Sequence, residues 1–212
     1  MIERPILFSA PMVRAIINGQ KTQTRRVIKF QMEPTPYPQT DRVQYVKIGG
    51  KQYWWNSQHD HPAHVTKACP HGQPGDRLWV RETWAEVGTM DPGLIVYRAD
   101  YPDCVPRQYQ NVPPVSKITW KPSIHMFRRH SRILLEITGV RVERLQDISR
   151  DDGMAEGIVY QPDGGFGLAD STHYNFSDPR FSYQSLWEQI NGEASWVANP
   201  WVWVVEFKRV MP

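Results

Sequence analysis

Residues 16–26 read Ile-Ile-Asn-Gly-Gln-Lys-Thr-Gln-Thr-Arg-Arg, which puts an amine, two hydroxyls and two guanidinium groups within six consecutive positions. A threonine hydroxyl becomes a nucleophile when a neighbouring base takes its proton. A lysine can be that base once burial or a nearby cation lowers its pKa. Lys21 and Thr24 are the candidates for these two roles, with Arg25 and Arg26 as the neighbouring cations. A glutamate would then protonate the leaving nitrogen. The same residues also suit binding alone: Lys21 and the arginines hold a nucleotide phosphate or base, and Thr24 makes a hydrogen bond. On the catalytic reading, Lys21→Ala abolishes turnover and leaves the protein folded.

The elements that must position these groups are legible around them. Pro11 suits the first turn of a helix, and Met12, Ala15 and Ile16 keep helical spacing up to Gly19, where a left-handed cap is expected. In a strand that follows, Thr22, Thr24 and Arg26 share one face, with Gln23 and Arg25 on the other. Lys21 and Thr24 meet only if the chain bends at residues 20–22.

Three further groups stand out. Glu82 ends a strand over 77–83 and shares a face with Leu78 and Val80, so it points inward as a ligand contact or as the partner of Arg26 or Arg81. Trp84 beside it is either a stacking ring for a base or a packed strand-end residue. His59, His61, His64, Cys69 and His71 resemble a zinc knuckle in composition. Without a Cys-x-x-Cys pair they fit no standard finger, and the alternative is a loop with incidental histidines.

Composition narrows the frame. The 212 residues fit one large domain or a small one with insertions, and 18 prolines with 14 glycines favour a turn-rich, mainly β protein. A net charge of +3 permits a nucleic-acid partner without requiring one. Nine tryptophans serve core filling, or base stacking where a ring is exposed. Residues 1–5 lack the apolar region of a signal peptide, and no apolar run is long enough to span a bilayer. The expectation is a cytoplasmic protein with Cys69 and Cys104 reduced.

Short strands are expected over 6–9, 43–48, 51–55, 94–98, 131–142 and 201–210. In the 131–142 strand, Ile133, Leu135 and Ile137 lie on one face. Ser149 and Asp152 form a capping-box start for a short helix ended by Gly157. A second helix over 181–190 takes Ser182 as its N-cap, turns Leu186, Trp187 and Ile190 inward, and ends at Gly192. Residues 31–72 and 100–130 read as insertions, the second as a long surface excursion, and the Gly-rich stretch 161–180 reads as a mobile loop over a cleft. No Walker or dinucleotide fingerprint is present, nor a helix-turn-helix.

Several of these segments resemble the ASCH family. Gly19-Gln20-Lys21-Thr22-Gln23-Thr24-Arg25 is similar to its Gly-x-Lys-x-x-Thr-x-Arg signature. Residues 74–82 resemble its Gly-Asp turn and following strand, residues 148–158 its short helix with an acidic residue, and residues 201–207 its terminal strand. The longer, Trp-rich ASCH-like proteins of phages and prophages are the nearest in character. The resemblance implies an α+β, mainly β fold: one PUA-like/ASCH β-barrel over residues 1–212, with two or three short helices and the two insertions. It implies a cleft where the first helix ends, and a nucleoside or single-stranded RNA as partner. One branch of the family deacetylates N4-acetylcytidine, and its functional residues match Lys21, Thr24 and Glu156. Arg25, Arg26, Glu82 and Trp84 would shape the pocket, with no cofactor. The alternatives are a non-catalytic PUA-like RNA-binding module, a ribonuclease, and a phage protein reading a modified nucleotide or a host factor. The ribonuclease lacks a histidine pair in the matched motifs.

Overall fold

The structure is a computed structural model, and it describes residues 1–29, 43–48, 51–56, 67–88, 93–109, 111–162, 164–168 and 173–211. The elements, in chain order, are β1 (Glu3–Leu7), α1 (Ala10–Ile17), β2 (Gln23–Val27), β3 (Val43–Ile48), β4 (Lys51–Asn56), β5 (Lys67–Ala68), β6 (Arg77–Arg81), β7 (Trp84–Val87) and β8 (Leu94–Tyr97). They continue with β9 (Leu134–Arg144), α2 (Arg150–Ala155), β10 (Ile158–Tyr160), β11 (Phe166–Leu168), β12 (His173–Phe176), α3 (Pro179–Asn191) and β13 (Trp201–Val210). This is an α+β fold in which strands predominate.

The main sheet has the order β1-β6-β9-β13-β2, parallel between β1 and β6 and antiparallel elsewhere. Among the described residues no ladder joins its two edge strands. Arg26 on β2 instead donates to the Leu7 carbonyl at the end of β1 at 2.6 Å. Three smaller sheets surround it: β3-β4-β5, β7-β8 and β10-β11-β12.

β13 is buried on both faces. Trp201, Trp203, Val205 and Phe207 join a core under α1 with Leu78, Ile137 and Val13, whereas Val202 and Val204 join a second core with Leu186, Trp187 and Ile158. Such a strand reads as a continuous apolar run, as this one does. The 131–142 reading holds for Ile133, Leu135 and Ile137, all in the first core. A bulge at Thr138, opposite Glu206 and Phe207, then shifts the phase so that Val140 faces the same side.

Several expectations need correction. The first strand is Glu3–Leu7, because Ser9 is already the N-cap of α1. α3 starts one turn earlier than the Ser182 hydroxyl suggested: Asp178 caps it, accepting from the Arg180 amide, while Ser182 is buried inside the helix and donates to the Phe166 carbonyl at 2.7 Å. Ile190 stays 56% exposed. The 161–180 stretch contains β11, buried throughout, and β12. The 100–130 excursion is surface chain with three short 3-10 turns, but Met126 is fully buried and anchors it. No helix among the described residues is long and apolar enough to cross a membrane.

Candidate active site

The helix exit makes the bend that the sequence requires. Gly19 takes φ +72°, and the amides of Gln20 and Lys21 both donate to the Ala15 carbonyl. Lys21 then forms an antiparallel bridge with Glu156, the Thr22 amide donates to the Ala155 carbonyl, and the Gln23 side chain donates to the Asp152 carbonyl. Residues 21–23 are thus fastened along the end of α2. That helix carries the expected capping box between Ser149 and Asp152, and Glu156 is its C-cap.

This backbone alignment brings Lys21 and Glu156 together. Lys21 Nζ donates to Glu156 Oε2 at 2.6 Å and to the Glu156 carbonyl at 2.8 Å, with both side chains withdrawn from solvent. Burial lowers the Lys21 pKa. Glu156 opposes that shift, and Arg26 and Arg25 reinforce it. Arg25 is equally buried and meets three carboxylates: Glu156 at 3.4 Å, Glu143 at 3.0 Å and Asp152 at 3.2 Å. Arg141 ties Glu143, Asp152 and Glu206 together behind it. Burial would raise the Asp152 pKa, but the Ser149 hydroxyl, Arg25 and Arg141 hold it down at about 2.

Glu156 borders a cavity of about 300 Å³, and Lys21 lies behind it, off the wall. Thr24, Arg25, Arg26 and Glu156 contribute to its wall, as do Phe8 and Met12 from the α1 side, Tyr183, Leu186 and Trp187 from α3, and Thr83 and Ser123. The Arg26 guanidinium lies 5.3 Å from the centre of the Phe8 ring, and burial lowers its pKa. Tyr183 is buried beside Glu156, and its pKa is pushed well up by that burial and by the carboxylate. Among the described residues no hydrogen bond joins Thr24 to Lys21, whose amine donates to Glu156 alone.

The structure therefore brings together Lys21, Thr24, Arg25, Arg26 and Glu156. It does not bring Glu82 or Trp84 to them. Glu82 is buried, but its partner is Arg132, at 2.9 and 3.0 Å, rather than Arg26 or Arg81. Arg132 also holds Asp100, so this group is a structural clamp. Trp84 is 3% exposed, stacked on His130 at 4.7 Å with Lys121 over its ring, so it is a packed residue of β7. Residues missed in the sequence are Tyr183 and Glu143. Tyr183 precedes Leu186 and Trp187 by three and four positions, the spacing of one helix face, and that was the available signal.

The proposed metal cluster gains no support from its described members. His59, His61 and His64 lie outside the described residues. Cys69 is buried in the first core with its pKa pushed up to about 11 by desolvation, and His71 is held down to about 4 by desolvation and by Arg26 and Arg4. Among the described residues no group of His, Cys, Asp and Glu has a metal-binding arrangement. Cys69 and Cys104 are free thiols.

Compared with protein-family models, with curated proteins and with solved structures, the chain gives no match in any of the three. The likeness to ASCH proteins rests on its motifs.

Proposed function

We propose that this chain is an ASCH-like hydrolase that takes an N4-acylated cytosine base into the cavity and removes the acyl group as a carboxylate. The observation that carries this reading is the buried Lys21–Glu156 pair, 2.6 Å apart, beside a Thr24-lined cavity. At about 300 Å³ the cavity is at the small end of ligand sites, the scale of a nucleoside. The five-stranded sheet with its edges linked through Arg26 supports a PUA-like barrel as the frame.

The pair supplies both an acid and a base without changing its total proton count. Burial lowers the Lys21 pKa, and the proton it gives up passes to Glu156 Oε2, 2.6 Å away, which yields a neutral form of the pair. In the neutral form Lys21 takes the Thr24 proton as Oγ1 attacks the acyl carbon. Glu156 gives its proton to the departing N4 nitrogen as the C–N bond breaks. The base leaves as cytosine amine, and the acyl group stays on Thr24 with the ion pair restored. Glu156 then takes a proton from an attacking water while Lys21 returns one to Thr24 Oγ1. This releases the carboxylic acid and regenerates the neutral pair. Thr24 must close on Lys21 when substrate arrives, as catalytic hydrogen bonds often do.

Binding without turnover is the second reading, favoured by the lack of a Thr24–Lys21 hydrogen bond. Turnover of N4-acetylcytidine, followed by chromatography, separates the two. Wild type releases cytidine and acetate, and Thr24→Ala releases neither. No release by wild type at high enzyme concentration would refute the hydrolase.

A further inference from the structure

A second depression, of about 460 Å³, lies between the end of β6, the start of β7 and the surface excursion that follows β8. Arg81, Trp84, Lys121, Ile124, His125 and Phe127 line it. It shares no lining residue with the cavity beside Glu156, and the reaction proposed above uses none of its side chains.

The walls of this depression are anchored. Trp84 and Lys121 exchange backbone hydrogen bonds at 2.7 and 3.2 Å. Met126 is fully buried beneath the turn, and its carbonyl accepts from Arg81 Nε at 3.1 Å. The Ser131 hydroxyl donates to the Val80 carbonyl at 2.8 Å and fastens the chain again further on. An ordered backbone therefore holds apolar side chains out toward solvent, Ile124 at 55% exposure and Phe127 at 59%. The Phe127 ring is itself steadied, with Arg129 5.0 Å over it and His130 6.0 Å away. Walls that are already ordered lose little conformational freedom when a guest arrives.

The lining combines two chemistries. Ile124, Phe127 and Trp84 present apolar surface, whereas Arg81, Lys121 and His125 supply nitrogen donors. Among the described residues no carboxylate lines the depression. Residues 104–135, which supply most of the lining, contain six Lys or Arg and no Asp or Glu. Glu86 approaches Lys121 only at 3.9 Å, with both side chains exposed, and such a contact is worth little. His130, stacked on Trp84, senses the surrounding charge: burial lowers its pKa first, Arg129 and Lys121 lower it further, and Glu86 opposes them. Apolar walls with a few placed donors, at this volume, are the make-up of a small-molecule site. The donors select an anion. The bond to Met126 fixes the plane of the Arg81 guanidinium, and a fixed guanidinium can hold two oxygens of one anion at once. The exposed ring selects a flat apolar body beside that anion.

We infer that this depression is a second binding site, for a small aromatic oxyanion: a carboxylate or a phosphate ester on a flat apolar body. Arg81 and Lys121 hold the anionic oxygens, and Phe127 with Ile124 covers the ring. The site is independent of the Lys21–Glu156 pair and stands whether or not the chain is a hydrolase.

The test is an NMR titration of the full chain that reads the tryptophan indole resonances, the Trp84 signal being identified with Trp84→Phe. Naphthoate and naphthyl phosphate are the probes, and uncharged naphthamide is the control. At the efficiency usual for small ligands, naphthoate binds with a Kd of about 1 mM or tighter and moves the Trp84 signal. Naphthamide binds about tenfold more weakly, because it lacks the charge that strengthens the hydrogen bonds. Phe127→Ala weakens both anions about fivefold, and Lys121→Gln about threefold. Both positions are exposed, so neither change burdens the fold. Arg81→Lys keeps the charge, loses the fork and weakens binding about threefold. Lys208→Gln, an exposed cation on β13, leaves affinity unchanged. Tighter binding of naphthoate assigns a carboxylate guest and tighter binding of the ester a phosphate guest, and either upholds the site. Equal affinity for naphthamide overturns it, as does a Trp84 signal that stays in place or affinity untouched by Phe127→Ala and Lys121→Gln. Displacement of naphthoate by a polyuridylate strand would assign the depression to nucleic acid and overturn the inference as well.

Discussion

The Lys21–Glu156 pair changes how its own variants must be read. Truncating Lys21 to alanine leaves Glu156 buried with only the longer Arg25 contact, at 3.4 Å. Breaking a buried pair in this way costs about 3–5 kcal/mol. Lys21→Ala is therefore expected to lose stability as well as turnover, so the variant stays folded, as expected from the sequence, where the chain's stability exceeds that loss. Lys21→Met with Glu156→Gln, which removes both charges, is expected to recover most of that stability in chemical denaturation and none of the turnover. His71 provides a pH test. Its folded pKa of about 4 lies below the ordinary 6.5, so between these values the unfolded chain holds a proton that the folded one excludes. Stability then rises with pH across that window, and falling from pH 6.5 to about 4 costs at most about 3 kcal/mol. A melting-temperature profile should show this limb, and His71→Asn should flatten it. Asp152, held at about 2, gives a separate loss at lower pH. The sequence disclosed Lys21, Thr24 and the arginines because their types crowd one short segment. It could not disclose that Glu82 pairs with Arg132, since those residues are 50 positions apart.

At the scale of elements, the site depends on two chain reversals that face each other. One follows α1 at Gly19 and the other follows α2 at Gly157, and the Lys21–Glu156 bridge joins them. Gly157 takes φ +98°, and a Cβ there would stand 3.1 Å from Ala15 Cβ and 3.3 Å from Lys21 Cβ. Gly157→Ala should cost about 1–3 kcal/mol from the backbone conformation. The crowding should also push the Lys21 stem off Glu156, so turnover is expected to fall further than stability accounts for. Activity measured well below the melting temperature checks this, and full activity there would show that the reversal does not position Lys21. Both reversals were readable, because a glycine after a helical pattern has a physical reason to be there. The capping box was readable for the same reason. The N-cap of α3 was misread because Asp178 and Ser182 offer equivalent oxygens. Only the packing of Phe166 against the helix decides which one lies inside it. The pairing of β11 between β10 and β12 was hidden by its Gly-rich flanks, whose composition is that of a loop.

For the molecule as a whole, β13 decides how far the parts can come apart. Its odd residues from Trp201 to Phe207 belong to the core under α1, and Val202 and Val204 belong to the core under α3. The strand over 201–210 was legible in the sequence, but two-sided burial is a property of what packs on it, which the expectation of a strand did not include. Met12 packs against both cores, and the cavity opens where they meet. Neither core can dissolve without exposing one face of β13, so the two should unfold together. Leu186→Ala, a truncation in the α3 core, should cost about 2–5 kcal/mol. If the cores are coupled, hydrogen exchange in this variant should quicken by the same factor in peptides covering β6, on the far side of the main sheet, as in those covering α3 and β11. Faster exchange confined to α3 and its small sheet would mean that this layer opens by itself. The cavity would then be a gap between two units that separate, and substrate would enter as α3 lifts. A shared factor instead makes the cavity a fixed feature of one cooperative body, reached through its rim at Ile190 and Asn191, the exposed residues on the cavity's α3 wall.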